Sequence, residues 1–261
     1  MGEDPQRSAG TSAGSGGPGT STALVVEVQL AMAIVDATRT LARSVPPPRG
    51  APYFYLDSDA VYDLRVFDSL SARGIFRKYE FALDIGSGLG GRARWLAART
   101  GCSIVGVDPS VAATTAATML NRRVYMDSQV RFQVGAPVQL PVRARVFTHV
   151  WMLDVACDAT MPTRLAEAFR VLRRGGHFAM QCPVLTAAHR AELLATLTTV
   201  GFVEVETREV TLAEPPDSRR IAIDRLRAVL RARPDAAPLL SRLPSALREP
   251  SRMQVFAARL T

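Results

Sequence analysis

The feature that most constrains this 261-residue chain is a glycine-rich turn between an apolar run and an amphipathic segment. Phe81–Ile85 (FALDI) has the composition of a buried strand and leads directly into Gly86–Gly91 (GSGLGG) and the helical sequence RARWLAART. Glycine has no Cβ, so such a loop lets a ligand approach the backbone closely. A second apolar run, Ser103–Asp108, ends in a carboxylate that can accept hydrogen bonds from both hydroxyls of a ribose. This order of elements predicts a nucleoside-containing cofactor at the carboxyl edge of a sheet.

Strands and helices continue to alternate along the chain. Three further strands are predicted, at Val130–Val134, Val146–Leu153 and His177–Cys182. Helices are predicted from Pro109 and within TRLAEAFRVLRR, and this alternation indicates a parallel sheet built from βαβ units. Val203–Thr211 and Arg252–Leu260 have the pattern of exposed or antiparallel strands. We therefore expect an α/β fold with a Rossmann-like, seven-stranded, mostly parallel sheet and helices on both faces.

The sequence divides into a tail, a cap and a main domain. Residues 1–22 are rich in Gly, Ser, Thr and Pro and predict a disordered tail. Residues 23–79 predict an N-terminal helical cap, whose first helix has an apolar face broad enough to pack on the body of the protein, a substrate or a second subunit. A homodimer through this helix is therefore one hypothesis. The main domain covers residues 80–261 and includes a helical insertion at about 213–250.

Composition excludes several classes of partner. The net charge is +8, but Lys78 is the only lysine and the arginines alternate with acidic and apolar residues, so we expect no nucleic-acid partner. No run of 18 uncharged apolar residues exists, so we expect no membrane span. Three cysteines without CxxC spacing argue against a disulfide framework or a metal site and fit a reducing cytoplasm.

The glycine spacing leaves two cofactor classes open. Gly86, Gly88 and Gly91 also satisfy the GxGxxG pattern, so an NAD(P)-dependent oxidoreductase is an alternative. Asp84, however, lies two residues before the first glycine, where its negative charge would repel a pyrophosphate. A sulfonium cofactor has no phosphate, and its cationic amino-acid moiety would be favoured by an aspartate, directly or through the shape of the loop.

Five segments between residues 80 and 185 resemble one known family. They are the GSGLGG loop with its preceding aspartate, GVD, the RFxxG segment, VWMLDV and VLRRGGHF. Their order and spacing are similar to those of class I S-adenosylmethionine-dependent methyltransferases, in particular the branch with sarcosine and dimethylglycine, ubiquinone and sterol methyltransferases. The resemblance implies methyl transfer from S-adenosylmethionine to nitrogen, carbon or oxygen of a small-molecule acceptor, in biosynthesis or specialised metabolism, with S-adenosylhomocysteine as the product.

The same resemblance implies roles for individual residues. The methionine-binding loop would comprise Asp84, Gly86, Ser87, Gly88 and Gly90. Asp108 would bind the ribose, Pro109 would lie beside the adenine, and Leu153 would complete the cofactor site. The family's third strand usually ends in Gly-Asp-Ala, whereas this chain has Gly135-Ala136-Pro137, so either the adenine contact comes from backbone at Ala136 and Pro137 or cofactor affinity is lower. Many relatives also have histidine where this chain has Asp158. These two departures make a catalytically silent binding or partner subunit a second alternative.

The acceptor side of the site is less specific in sequence. Methyl transfer depends mainly on holding the nucleophile and methyl group at attack distance, and a base is needed only for a protonated acceptor. Asp154 and Asp158 follow the fourth strand and could accept a proton or bind a cationic acceptor, although Asp158 could instead cap the next turn. Aromatic residues that could line the acceptor pocket, or form a hydrophobic plug under the first helix, are Tyr53, Tyr55 and Tyr62.

Overall fold

The computed structural model describes residues 25, 27–36, 38–39, 79–153, 155–211, 224, 227–228, 230–232 and 251–260. The predicted tail, most of the cap and most of the 213–250 insertion lie outside these residues, as do Asp154 and the three tyrosines. No helix of the described part is long and apolar enough to cross a membrane.

The strands are β1 (Phe81–Ile85), β2 (Ser103–Asp108), β3 (Val130–Val134), β4 (Phe147–Met152), β5 (Leu172–Pro183), β6 (Val203–Thr211) and β7 (Ser251–Ala258). The described residues between 25 and 39 are helical and constitute α1. The helices between the strands are α2 (Gly91–Thr100), α3 (Val111–Arg123), α4 (Met161–Val171) and α5 (Ala187–Val200).

The seven strands form one sheet in the order β3-β2-β1-β4-β5-β7-β6. Every neighbouring pair from β3 to β5 is parallel, and β7 runs antiparallel to both β5 and β6. The predicted seven-stranded, mostly parallel sheet is therefore confirmed. Because β1, β2, β4 and β5 run in the same direction, their carboxyl ends meet at one edge, where ligands bind in sheets of this kind.

Several boundaries differ from those predicted from sequence, and two of these differences have a clear physical cause. The strand expected from His177 begins at Leu172, because Leu172 pairs with Phe147 and the two glycines after it pair with the backbone of Arg259. The arginines that end the predicted helix therefore belong to β5. The helix expected from Pro109 begins at Val111, because the side chain of Ser110 accepts a hydrogen bond from the backbone of Ala113 and caps it.

Apolar clusters cover both faces of the sheet. One cluster packs α4 and α5 against side chains such as Leu83, Val150 and Phe178, and the other packs α2 against Ala82 and Trp151. These layers fix the strand ends that surround the candidate site.

Part of the apolar face of α1 is buried within the single chain, whereas Val25 and Met32 are exposed. Leu30, Ala31 and Ile34 are buried, and Glu27 Oε2 accepts a hydrogen bond of 2.9 Å from the backbone N–H of Ala112 at the start of α3. An acidic side chain is favourable at a helix N-terminus, so this contact holds α1 against the main domain.

Candidate cofactor site

The glycine-rich turn is held against the end of β2. Gly86, Gly88 and Gly90 have φ angles of 78°, 54° and 75°, a region in which an L side chain is strained. The backbone N–H groups of Gly86 and Ser87 both donate to the carbonyl of Val107, at 2.8 and 3.2 Å. The loop between β1 and α2 therefore has a fixed path at the carboxyl edge of the sheet.

Gly86 and Gly90 are required for different reasons. A Cβ added at Gly86 would meet no atom of the described residues within 4 Å, so among these residues the space beside it is open to a ligand. A Cβ added at Gly90 would lie 2.0 Å from Cζ of Phe132, which is on β3. The sequence predicts ligand contact for both glycines, but the structure places the Phe132 ring directly against Gly90.

The side chain of Ser87 points into the protein. It is 1% exposed, and a Cβ added at Gly106 of β2 would lie only 2.7 Å from Ser87 Oγ. Any contact that Ser87 makes with a cofactor would therefore come from its backbone.

The carboxylate of Asp108 connects the glycine loop to the start of α3. Its Oδ2 accepts a hydrogen bond from the Gly88 N–H at 3.0 Å, and its Oδ1 accepts one from the Ser110 N–H at 2.9 Å. An ionised carboxylate has about four lone-pair positions and is the kind of group that can accept hydrogen bonds from ribose hydroxyls. Sequence reasoning found the position of this acid but not its bond to the loop. Pro109, beside it, is exposed.

Asp84 lies within β1 and is completely buried. Its Oδ1 is 3.5 Å from Nη2 of Arg92, and that guanidinium also donates a hydrogen bond of 3.0 Å to the carbonyl of Gly86. Of the two sequence alternatives for Asp84, this geometry favours shaping of the loop over direct contact with a ligand. Sequence reasoning missed Arg92. The available signal was an arginine in the first turn of α2, close in sequence to a buried acid.

The turn after β3 occupies the position expected for an adenine contact. Ala136 is exposed, and its carbonyl accepts a hydrogen bond of 3.1 Å from the backbone of Gln139. The N–H of Gly135 donates to the carbonyl of Asp108 at 3.1 Å, and Pro137 is half-buried. This turn therefore offers backbone and a small side chain next to Asp108.

An ion pair on α4 fixes the segment that follows this turn. Glu167 Oε2 accepts a hydrogen bond of 2.7 Å from the backbone of Leu140, and Arg170 donates to the carbonyls of Leu140 and Val142. Arg170 also bonds to Glu167, and this contact lowers the pKa of the Glu167 carboxyl. A side-chain pair thus fixes the segment from Leu140 to Val142.

The segment after β4 begins with buried Leu153 and continues to Asp158 in a turn before α4. Asp158 Oδ1 accepts hydrogen bonds from the N–H and hydroxyl of Thr160, at 2.9 and 2.6 Å, and Oδ2 pairs with Arg164 at 2.9 Å. The Thr160 donors lower the pKa of Asp158, which keeps it ionised. This geometry favours the capping alternative for Asp158. The roles of Asp154, Tyr53, Tyr55 and Tyr62 stay predictions.

Residues 83–180 match a family model described as a methyltransferase domain. The sterol 24-C-methyltransferase of Kluyveromyces lactis is 29% identical over 118 residues, covering 45% of this chain and 32% of that protein. The sarcosine/dimethylglycine N-methyltransferase of Halorhodospira halochloris is 32% identical over 105 residues, covering 40% of this chain and 38% of that protein. The matches thus span roughly a third of the length of these curated relatives.

A solved structure extends the likeness beyond the family match. The crystal structure of the cyclase SpnF has a TM-score of 0.58 and 18% identity, covering 79% of this chain and 85% of that chain. At this identity the likeness establishes the shared fold. Residues 83–180 are therefore similar in sequence to a methyltransferase domain, and the sheet and the glycine turn agree with the fold shared with the solved structure.

Proposed function

We propose that this chain transfers a methyl group from S-adenosylmethionine to a small-molecule acceptor. The observation that supports this most strongly is the open space beside Gly86, at a loop whose N–H group at Gly88 is bonded to Asp108. A backbone surface without a Cβ, next to a carboxylate, suits an amino-acid moiety joined to a ribose.

The residues present fit this cofactor in three places. The backbone from Gly86 to Gly90 would hold the methionine moiety, and Asp108 would accept the ribose hydroxyls. The turn at Ala136 and Pro137 would pack beside the adenine. When bound, S-adenosylmethionine supplies a methyl group activated by its sulfonium. The chain's own contribution is then to orient an acceptor at the carboxyl ends of β4 and β5, which is catalysis by positioning.

An NAD(P)-dependent oxidoreductase is disfavoured by the strand order. The dinucleotide-binding fold has the order 3-2-1-4-5-6, whereas here the antiparallel strand β7 lies between β5 and β6. Asp84 is not a simple repulsive charge toward a pyrophosphate, because it is buried and paired with Arg92. The strand order therefore argues against the oxidoreductase more strongly than Asp84 does.

The silent-subunit alternative depends on Ala136 and on Asp158, and only Ala136 bears on cofactor affinity. An aspartate at this position would offer a charged hydrogen bond to the adenine amino group, and such bonds contribute roughly 1.5–3 kcal/mol. Loss of one such bond weakens affinity but leaves the contacts of Asp108 and the loop in place. We therefore propose that the chain binds its cofactor.

The test is isothermal titration of the full chain with S-adenosylhomocysteine, NAD⁺ and NADP⁺. We expect binding of the first alone. We expect Asp108→Asn to weaken it at least tenfold, since one hydrogen bond to a charged group contributes roughly 1.5–3 kcal/mol. Glu192→Gln, at an exposed position on α5, is the matched control and should bind like the wild type. Tighter binding of a nicotinamide cofactor, or no binding of any of the three, would refute the proposal.

The acceptor class and cellular setting are also part of the proposal. The curated relatives are named for a sterol and for sarcosine and dimethylglycine, so we propose a small organic acceptor methylated at carbon, nitrogen or oxygen. Release of S-adenosylhomocysteine, measured with a panel of amines, sterols and phenols, would identify the acceptor.

Free thiols at Cys102, Cys157 and Cys182 support a cytoplasmic location. We propose no nucleic-acid partner, and the homodimer through α1 can be tested by sedimentation.

A further inference from the structure

Two cysteines lie side by side at the carboxyl edge of the sheet. The backbone N–H of Val155 donates to the carbonyl of Gln181 at 3.1 Å, so the segment after β4 runs along the end of β5. Cys157 lies two residues after Val155 and Cys182 directly follows Gln181, so the two residues lie at the same edge of the sheet, and each thiol influences the pKa of the other. Cys157 is exposed, whereas Cys182 is completely buried. The arrangement has one accessible thiol and one protected thiol at the same edge.

The two thiols are electrostatically unequal. The hydrogen bond from Cys182 lowers the pKa of Cys157, and the positive charge of Arg164 acts in the same direction, against partial burial and the negative charge of Asp158. The same bond, together with burial, raises the pKa of Cys182, and nearby Arg252 opposes this effect only partly. The thiolate, which is the reactive form of cysteine, therefore forms on the accessible sulfur of Cys157.

We propose that Cys157 and Cys182 are a redox modification site, at which a hydroperoxide converts the two thiols into an intramolecular disulfide. The Cys157 thiolate attacks one peroxide oxygen, the O–O bond breaks, and the released oxygen takes a proton to leave as water or an alcohol. Cys157 is then a sulfenic acid. The Cys182 sulfur attacks the Cys157 sulfur, the S–O bond breaks, and the hydroxyl leaves as water with the Cys182 proton. The thiols lose two electrons in total and the hydroperoxide gains them.

The disulfide would connect the segment after β4 to the end of β5. This is the edge of the sheet at which the proposed function places methyl transfer, so we expect oxidation to slow turnover reversibly. That consequence rests on the proposed function, whereas formation of the disulfide does not. A failure of cross-linking and a failure of cofactor binding are therefore distinguishable.

The test is mass spectrometry of the full chain after brief exposure to hydrogen peroxide. Remaining thiols are blocked with N-ethylmaleimide, and the protein is digested without reduction. We expect the peptide with Cys157 to be linked to the peptide with Cys182, with the loss of two hydrogens, and dithiothreitol to separate them. In Cys182→Ala, dimedone should instead trap the sulfenic acid at Cys157. In Cys157→Ser, at an exposed position, the link should be absent and Cys182 should be recovered with the maleimide adduct.

Cys102→Ala is the matched control. Burial raises the pKa of Cys102 to about 11, and this thiol lies in the cluster around α2, so its removal should leave the link unchanged. The proposal is overturned if wild-type Cys157 and Cys182 are both recovered as maleimide adducts. It is equally overturned if Cys157 is oxidised to a sulfinic acid while Cys182 stays free, or if the link forms with Cys102.

Discussion

Gly90→Ala should destabilise the protein by clearly more than Gly86→Ala. Both glycines have a left-handed backbone, with φ of 75° and 78°, so alanine at either position costs about 1–2 kcal/mol in strain. At Gly86 the new Cβ enters open space, so no steric cost is added to the backbone strain. At Gly90 it overlaps three atoms of the Phe132 ring, at 2.0, 2.4 and 2.9 Å, whereas carbon atoms pack at about 3.5–4.0 Å.

The Phe132 ring must therefore move to accommodate alanine at position 90. Overpacking of this kind costs about 1–3 kcal/mol, so we expect a total loss of about 2–5 kcal/mol for Gly90→Ala against about 1–2 kcal/mol for Gly86→Ala. Phe132→Leu removes the outer ring atoms. In that background the cost of Gly90→Ala should fall to that of Gly86→Ala.

Urea unfolding monitored by circular dichroism gives the free energies of unfolding for the two single variants in both backgrounds. A double-mutant cycle then isolates the coupling between positions 90 and 132. Equal losses for Gly86→Ala and Gly90→Ala, or a coupling of zero, would refute the assignment of Gly90 to packing. The order should reverse for ligand affinity, with Gly86→Ala weakening S-adenosylhomocysteine more, because its methyl group occupies the ligand's space.

Three further changes test other parts of the site. Arg92→Met removes the arginine that is paired with the buried Asp84 carboxylate and should lower the free energy of unfolding by about 3–5 kcal/mol. A loss below about 1 kcal/mol in urea unfolding would contradict this prediction. Arg170 lowers the pKa of Glu167, so ionised Glu167 stabilises the fold at pH values above the ordinary carboxyl pKa near 4.5. This stabilisation is lost as the pH falls through the lowered pKa of the folded state. Glu167→Gln should therefore remove about 1 kcal/mol at pH 7 and less at acidic pH in thermal denaturation, and a pH-independent loss would contradict it. Ala136→Asp should tighten S-adenosylhomocysteine binding about tenfold in calorimetry, and unchanged affinity would show that position 136 does not face the adenine.

The strands were predictable where local composition alone determines them. β1, β2, β3 and β6 have the bounds that the sequence predicts, because apolar or alternating runs lie between turn residues. The start of β5 was not predictable, since Leu172 is extended through pairing with Phe147 and through the backbone of Arg259. No local pattern encodes a partner so distant along the chain.

The same distinction applies to the cofactor site. Asp108 could be located from sequence because it is the last residue of a buried strand. Its bond to Gly88, the pairing of Asp84 with Arg92, and the packing of Phe132 on Gly90 all depend on how the elements are placed in three dimensions. An arginine in a helical sequence is ordinarily exposed, so the only sequence signal for the burial of Arg92 is its closeness to Asp84.

A crystal structure of the chain with S-adenosylhomocysteine is the most direct test of the proposed activity. We predict that the amino-acid moiety lies against the backbone at Gly86 and that the ribose hydroxyls donate to the carboxylate of Asp108. The sulfur should face the carboxyl ends of β4 and β5. A complex with the ligand elsewhere, or with Asp108 contacting only Gly88 and Ser110 while the ribose lies apart from it, would contradict it.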